Sequence, residues 1–229
     1  MFKQHPSFNT PSDVTKIWRY MDFTKLVYLL DTQSLFFVRS DKFDDPFEGL
    51  IPKANEQWDL DNEYNQMVKR SKTHRKFTAI TCWHRNDYES AAMWDLYLKN
   101  GDGVAIQSTI MNFKNSLNKT GKEIYLGKVD YIDYDKDLIS NDIYAPYTHK
   151  RISFDHEKEV RAVYAVPYGD NIEPLFEFGV PIECDVEILI EKIHISPTAP
   201  DWFEELVRSV CEKYGLDKKI IKSKLYTVK

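Results

Sequence analysis

The chain has 229 residues, of which 42% are hydrophobic and 14% aromatic, and its formal net charge is −5. Apolar side chains are numerous enough for a sizeable core, and glycine and proline are too sparse for a fibrous or disordered protein. The acidic balance disfavours a protein that binds nucleic acid through a broadly basic surface. We therefore expect one globular domain over residues 1–229.

Three cysteines stand far apart, at Cys82, Cys184 and Cys211, and form neither a CxxC motif nor a cluster with zinc-ligand spacing. The N-terminal residues MFKQHPSFNTPSD lack the apolar core of a signal peptide. No apolar run approaches the roughly 18 residues of a membrane span. We expect a cytoplasmic protein with no membrane segment and no metal centre.

The first half of the chain predicts strands and helices that are separated by short loops. Residues 16–21 form a strand, and Asp22 caps a helix over 23–30, whose apolar residues share one face. The other elements of this half are a strand at 34–40, a loop at 41–50, a helix at 56–72, a strand at 76–83, a helix over 88–100 that Asp87 caps, and a strand at 103–108.

The second half continues with a weaker helix and several strands. Its elements are a strand at 124–132, a loop at 133–148, strands at 154–166, 174–182 and 186–196, a helix from a cap at Thr198 to Tyr214, and a closing strand at 218–228. Strands and helices are mixed without strict βαβ alternation. This order favours an α+β fold with a mixed, largely antiparallel sheet and flanking helices.

The segment FDHEKEVRAVYAV, residues 154–166, begins with charged residues and ends as a buried strand. Side chains alternate faces along a strand, so an early start places Glu157, Glu159 and Arg161 on one face. A charged end on a buried strand is expected at a sheet edge or in a cleft. A solvated edge, ion-paired with Arg151 and Arg161, would explain the same charges.

The helix over 88–100 places Met93, Trp94 and Tyr97 on one face. Packing in the core is the usual reason for such spacing. An aromatic wall for a planar ligand ring is the functional alternative.

Arg19, in the segment WRY, and the loop around Pro46 each allow a structural and a functional interpretation. Arg19 could end a strand in a salt bridge, or its planar fork of donors could hold a phosphate or ribose. Asp44 and Asp45 are typical turn residues, and Glu48 could be an ion-pair partner.

Four motifs in order resemble those of a bacterial family that is known as a domain of unknown function. They are W-R-Y, F-x-D-P-F-E-G, S-x-x-M-W-x-x-Y followed by G-x-x-I, and K-R-x-x-F-x-x-E-x-E-x-R. The resemblance spans roughly residues 16–166, and the family name implies no reaction.

The opening strand–helix–strand, WRYMDFTKLVYLLDTQSLFFVR, also resembles the start of ADP-ribosyltransferase-like domains. In those domains a His or Arg on the first strand holds the ribose of NAD, and a late Glu in an E-x-E or Q-x-E motif is catalytic. The resemblance implies catalytic roles for Arg19, Glu157 and Glu159. The Ser-Thr-Ser strand of the arginine-specific class is absent, and AITCWHR or GVAIQS stands in its place. The cofactor-binding residues that we expect are Arg19, Tyr20, Trp94, Tyr97 and Arg151.

The resemblance implies an NAD-dependent transferase, a toxin or phage-defence effector that acts on protein or nucleic acid and is accompanied by an antitoxin or chaperone. A carboxylate beside the ribose would stabilise the cation that forms when the nicotinamide bond breaks. Two alternatives remain open. A metal-dependent nuclease would use Asp44 or Asp45 together with Glu157 or Glu159, and a non-enzymatic binding module would use the charged motifs structurally.

Overall fold

The computed structural model describes residues 1–58, 63–98, 102–167 and 173–228. The strands are β1 Phe2–Lys3, β2 Lys16–Asp22, β3 Ser34–Arg39, β4 Thr78–Arg85, β5 Gly103–Thr109, β6 Ile124–Lys128, β7 Asp130–Ile132, β8 His149–Arg151, β9 Glu159–Ala165, β10 Gly179–Glu183, β11 Lys192–Ile195 and β12 Lys219–Lys222. The helices are α1 Phe23–Thr32, α2 Glu63–His74, α3 Ala91–Tyr97, α4 Ile110–Ser116, α5 Ala145–Thr148, α6 Val186–Leu189 and α7 Asp201–Lys213.

Ten strands of the described part form one sheet, whose main path runs β1-β6-β9-β4-β2-β5-β11-β12. Strands β3 and β10 branch from β4, and β7 pairs with β8 in a separate parallel pair. Within the main sheet only the outer pairs β1–β6 and β11–β12 are parallel. The predicted α+β class, with a largely antiparallel sheet and flanking helices, is confirmed.

The sheet forks along one edge of β4. Near its start, β4 pairs with β3 at Ile80 and Ala79, whereas near its end it pairs with β2 at His84 and Arg85. Residues 81–83 between these two pairings have no ladder partner on that edge among the described residues. Strand β2 pairs with β5 along its whole length and diverges from β4 beyond Trp18. The fork therefore opens a cleft between β2 and β4.

One apolar core joins both branches of the fork. It contains Ile17 and Met21 from β2, Trp83 from β4 and Val160 from β9, each nearly inaccessible to solvent. Helices α1, α4 and α7 pack apolar side chains against the same core. A smaller cluster on the opposite face of β2 contains Trp18, Tyr20, Met93, Trp94 and Ala105. No helix in the described part of the chain has the length and apolar character that crossing a membrane requires.

The predicted cap of the first helix is confirmed. Asp22 ends β2 in extended conformation, and its Oδ1 accepts a hydrogen bond from the backbone N–H of Lys25 at 2.9 Å. This local rule needs no tertiary information, because one side chain satisfies an otherwise unpaired N–H group of the first turn.

The predicted start of the 88–100 helix is wrong. Ser90, not Asp87, is its N-cap and accepts from the N–H of Met93, so the helix begins at Ala91. Ser90 also donates its own N–H to the Tyr20 hydroxyl at 2.7 Å, which fixes the cap at that position. The predicted end at residues 100 and 101 lies outside the described residues.

The strand predicted at 154–166 begins later than expected. Residues Ile152–Glu157 form 3₁₀ turns, Lys158 adopts a left-handed conformation with φ 43°, and β9 begins at Glu159. Glu157 therefore lies outside the strand. Its side chain still approaches that of Glu159, because the left-handed residue redirects the chain between them.

Other boundaries moved where a cap or a change of sheet interrupts the pattern. The strand predicted at 186–196 is helix α6, capped by Asp185, followed by β11. The strand predicted at 124–132 divides where β7 leaves the main sheet to pair with β8. Pro200 rather than Thr198 precedes α7. The helix predicted at 56–72 is 3₁₀ over Lys53–Trp58 and α-helical from Glu63, and residues 59–62 between them are outside the described part.

Candidate active site

A cavity of about 200 Å³ occupies the fork between β2 and β4. The side chains that line it come from both branches and from the turn before β9. They include Arg19, Tyr20, Thr81, Cys82, His84, Tyr97, Glu157 and Glu159. A larger groove of about 910 Å³ adjoins this cavity and shares Cys82, Tyr97, Glu157 and Glu159 with it. The predicted residues Arg19, Tyr20, Tyr97, Glu157 and Glu159 thus meet in one place.

Arg19 enters the fork from β2 without a carboxylate partner among the described residues. Its Nη1 donates to the Thr81 hydroxyl across the gap, and its guanidinium carbon lies 5.9 Å from the centre of the Trp83 ring. Burial lowers the pKa of Arg19 below its usual value, although an arginine with that direction of shift stays charged at neutral pH. Four of the five N–H donors of a guanidinium remain for another group.

Of the two aromatic residues on this helix face, Trp94 packs in the core and Tyr97 borders the cavity. Trp94 is only 2% exposed, lies edge-on to Tyr20 at 4.9 Å between ring centres, and donates its indole N–H to Glu89 at 3.0 Å. Its ring does not line the cavity. Tyr97 is 46% exposed and lines both the cavity and the larger groove. Tyr97 therefore borders the cavity, whereas Trp94 packs against Tyr20 in the apolar cluster behind it.

Glu157 and Glu159 form a buried carboxyl pair around the ammonium group of Lys150. The Lys150 Nζ contacts Glu157 Oε2 and lies 3.3 Å from Glu159 Oε1. Lys150 stands over the ring of Phe154 with its Nζ 4.5 Å from the ring centre. The charges at the head of β9 are therefore enclosed rather than solvated.

Arg161 ties this pair to Glu48. Its Nε donates to Glu159 Oε2 at 2.6 Å, and its two terminal nitrogens donate to the Glu48 oxygens at 2.7 Å each. Arg161 and Glu48 are almost fully buried. The expected ion-pair role of Glu48 is confirmed. Such a bidentate, enclosed pair holds the Glu159 carboxylate in a fixed orientation.

The two carboxyl groups have opposite pKa shifts. Burial raises the pKa of Glu157 to about 7, and the neighbouring Glu159 carboxylate adds to this effect. Burial acts on Glu159 in the same direction, but Arg161 and Lys150 outweigh it and hold its pKa well below the usual range. Glu159 is therefore the ionised member of the pair, and Glu157 exchanges a proton near neutral pH.

The acids of the nuclease hypothesis lie along the larger groove. Asp44 and Asp45 line it together with Glu157 and Glu159. Asp45 is ion-paired with Arg151 at 3.0 Å, and the Lys150 ammonium lies between the two glutamates. Within the described ranges, no three His, Cys, Asp or Glu side chains are arranged to hold a metal ion.

Sequence reasoning assigned the cofactor role to Arg151, but the cation beside the carboxyl pair is Lys150. Neighbouring residues of β8 point to opposite sides. Arg151 faces Asp45 and the ring of Phe47, 4.2 Å from its guanidinium carbon, and does not line the cavity. The K-R dipeptide in the fourth motif marked the position, but only the strand direction separates the two residues.

His84 was not singled out by sequence reasoning. It lies on β4 directly opposite Glu159 of β9, and its Nδ1 lies 2.6 Å from the carbonyl oxygen of Glu157. A histidine inside an apolar strand gives no local signal, because its partner lies 73 positions away in the sequence.

No protein-family model matches this chain, and no curated protein matches it significantly. Among solved structures, Thermus sp. 2.9 DarT in complex with ADP-ribosylated ssDNA is similar over 95% of this chain and 98% of its own, with a TM-score of 0.45 and 10% identity. The complex of the same protein with carba-NAD⁺ covers 93% and 96%, with a TM-score of 0.43 and 9% identity. Its complex with NAD⁺ covers 94% and 98%, with a TM-score of 0.39 and 9% identity. Likeness at this level is too low to carry the function of those proteins to this chain.

Proposed function

We propose that this chain is an NAD-dependent ADP-ribosyltransferase-like enzyme, which breaks the bond between nicotinamide and ribose and transfers ADP-ribose to a protein or nucleic acid. The observation that carries the proposal is the convergence of Arg19, Tyr97 and Glu159 on one cavity, although they come from β2, α3 and β9. A ligand there meets a guanidinium that has no carboxylate partner in the described part of the chain, an aromatic side chain and an ionised carboxylate. NAD offers a pyrophosphate, a planar ring and a ribose to these groups.

Glu159 is the residue that stabilises the transition state. As the bond from C1′ of the ribose to the nicotinamide nitrogen breaks, its electron pair leaves with nicotinamide and the ribose becomes cationic. A carboxylate that is already ionised and held by Arg161 needs no reorganisation to stabilise that cation. Tyr97 stacks against the nicotinamide ring, and Tyr20 holds the start of α3 through its hydroxyl.

Glu157 serves the acceptor. A hydroxyl or amine of the acceptor attacks C1′ and must lose a proton as the new bond forms. A carboxyl group with a pKa near neutrality exists partly as the base that can take this proton. Glu157 lines both the cavity and the larger groove, so it faces the side from which an acceptor would enter. The two glutamates thus act as a pair with separate tasks.

The decisive experiment compares NAD⁺ turnover and transfer of labelled ADP-ribose by the wild type and Glu159→Gln. We expect the substitution to lower the rate by roughly a hundredfold or more, the usual scale for one preorganised electrostatic group. Asp41→Asn is the matched control, because it also removes a carboxylate that is ion-paired with an arginine, whereas Asp41 does not line the cavity. Circular dichroism establishes that each variant is folded at the assay temperature.

Full activity in folded Glu159→Gln would refute the mechanism. If the wild type consumes no NAD⁺ with cell lysate, single-stranded DNA or RNA, the enzyme proposal itself fails. Cleavage of DNA or RNA by the wild type that EDTA abolishes would instead favour the metal-dependent nuclease.

In a bacterial cell the proposed enzyme is a toxin or phage-defence effector, and an antitoxin or chaperone would restrain it. Induced expression of the wild type should then stop growth, whereas Glu159→Gln at equal abundance should not. Equal arrest by both proteins would contradict a toxic transferase activity.

A further inference from the structure

His84 lies at the closed end of the fork, where β2, β4 and β9 meet. It pairs with Trp18 on one side and with Glu159 on the other. Residues directly opposite in a sheet point to the same face, so the imidazole and the Glu159 carboxylate share a side. His84 is only 4% exposed and lines the same cavity as Arg19. Its ring is therefore a wall of the proposed active site.

The hydrogen bond of His84 to Glu157 fixes which ring nitrogen carries the proton. The partner of Nδ1 at 2.6 Å is a carbonyl oxygen, which can only accept, so Nδ1 must be the donor. Burial lowers the pKa of His84, and the nearby Lys158 and Arg85 act in the same direction. The ring is thus neutral, and Nε2 bears a lone pair.

Nε2 is buried and has no hydrogen-bond partner among the described residues. The ring of Tyr20 lies 6.2 Å from that of His84 between ring centres, and its hydroxyl group accepts from the N–H of Ser90 rather than bonding to Nε2. An unpaired buried acceptor is costly, because it has lost its hydrogen bond to water without gaining another. Buried polar atoms are rarely left in this state, and a ligand group is one of the few explanations.

We propose that His84 is a ligand-binding residue of this cleft, whose Nε2 accepts a hydrogen bond from an N–H or O–H group of the bound dinucleotide. This inference rests on the proposed function. NAD carries both kinds of donor, in the carboxamide of nicotinamide and in the ribose hydroxyls. The hydrogen bond would hold the nicotinamide riboside half beside Glu159, its cross-strand neighbour.

Two substitutions separate this role from support of Glu157. His84→Asn keeps a donor near the position of Nδ1 and removes Nε2, whereas His84→Gln keeps an acceptor near Nε2 and removes the Nδ1 donor. Affinity for the non-reacting analogue carba-NAD⁺ is measured by calorimetry. We expect His84→Asn to bind roughly tenfold more weakly than the wild type, and His84→Gln to retain more of the affinity.

Fragments identify the donor. Nicotinamide supplies only the carboxamide donor, whereas ADP-ribose lacks the carboxamide and supplies the ribose hydroxyls together with the adenine amino group. His84→Asn should lose affinity for one of these two fragments and bind the other as tightly as the wild type does. Imidazole ¹⁵N spectra of the wild type add a measurement that needs no variant, because carba-NAD⁺ should shift the Nε2 signal more than the Nδ1 signal.

Normal affinity in His84→Asn with weak binding by His84→Gln would overturn the inference, since His84 would then act only by positioning Glu157. If His84→Asn does not fold, an unchanged Nε2 signal in the ligand-bound wild type overturns it equally. A wild type that binds neither carba-NAD⁺ nor NAD⁺ removes the proposed function as well, so the two failures are distinguishable.

Discussion

At the scale of single residues, the site is a buried cluster of oppositely charged side chains. Two cations, Lys150 and Arg161, face three carboxyl groups, Glu48, Glu157 and Glu159. The five side chains are electrically neutral when one carboxyl group holds a proton. Burial raises the pKa of Glu157 to about 7 and raises the pKa of Glu48 as well, but both Glu48 oxygens accept from Arg161, which favours the ionised form of Glu48. Because burial of an unbalanced charge is costly, this cluster favours the state in which one carboxyl group is protonated.

This balance predicts how stability depends on pH. The folded pKa of Glu157 lies above its ordinary value of 4.5, so the folded state binds more protons between about pH 4.5 and 7. The stabilisation is complete below pH 4.5 and is lost as the pH rises through 7. Glu157→Gln cannot titrate, so its free energy of unfolding relative to the wild type should increase from pH 5 to pH 8. Urea denaturation of both proteins at the two pH values measures this difference.

The titration of Glu159 changes the stability with pH in the opposite direction to that of Glu157, and this opposite direction serves as an internal control. Its folded pKa is lowered, so its stabilisation is present above pH 4.5 and is lost as the pH falls. A wild type and Glu157→Gln that differ equally at pH 5 and pH 8 would contradict the assignment of the proton to Glu157.

Arg19 gives a second prediction at this scale, because its guanidinium is partly buried and none of the described residues supplies it with a carboxylate partner. Arg19→Gln should lower the affinity for carba-NAD⁺ at least tenfold, the scale of one lost charge-assisted hydrogen bond. Its melting temperature should be equal to or higher than that of the wild type, since an uncompensated charge is removed. Arg39→Gln is a matched control, because Arg39 is ion-paired with Asp41 instead. A large loss of stability in Arg19→Gln would indicate a structural role.

At the scale of elements, the short helix α3 carries Tyr97 to the cleft and depends on its cap. Ser90→Ala removes that cap, and Thr109→Ala removes the equivalent cap of α4, which also spans seven residues. Each substitution should cost about 1 kcal/mol of stability. Only Ser90→Ala should weaken binding of carba-NAD⁺, because Thr109 does not line the cavity. Equal affinities of the two variants, measured by calorimetry, would show that α3 does not position a binding residue.

Elements also show which features the sequence could predict. The Asp22 cap and most strand positions depend on neighbours a few residues away, and these predictions are confirmed. The extended conformation predicted for Glu157 is wrong, because the left-handed Lys158 precedes β9. The carbonyl oxygen of Lys158 accepts a hydrogen bond from the backbone N–H of Arg85, and this bond joins β4 to the turn. Nothing near Lys158 in the sequence announces that contact.

In the candidate site too, the features that depend on nearby residues could be predicted from the sequence, and those that depend on distant contacts could not. The E-x-E spacing and Arg19 were visible in the sequence, and both glutamates lie in the same cavity as Arg19. The choice of Lys150 over Arg151 and of Tyr97 over Trp94 depends on which way adjacent or nearby side chains face once strands and helices pack. His84 required the pairing of β4 with β9, which is a contact between distant parts of the chain.

At the scale of the whole molecule, the shared core predicts cooperative unfolding of residues 1–229 as one domain. Trp18 lies on β2 and Trp83 on β4, so each substitution removes the fluorescence of one branch of the fork and leaves that of the other four tryptophans. Thermal unfolding of Trp18→Phe and Trp83→Phe, followed by fluorescence and by far-ultraviolet circular dichroism, should give one coincident transition in each protein. Two transitions would show that the branches are separate domains.

The fork also gives the molecule a sheet edge in its interior. Residues 81–83 of β4 are paired with β9 on one side, but the described chain offers them no ladder partner on the side that faces β2. A central strand ordinarily has slowly exchanging amide hydrogens in both directions, because both neighbours protect it. Here the ladder is one-sided, so the amide hydrogens of residues 81–83 that face β2 lack a ladder partner within the described ranges. This one-sided edge of β4 borders the cavity at the point where the candidate site residues meet, and slow exchange there would have to come from the surrounding packing rather than from a second ladder.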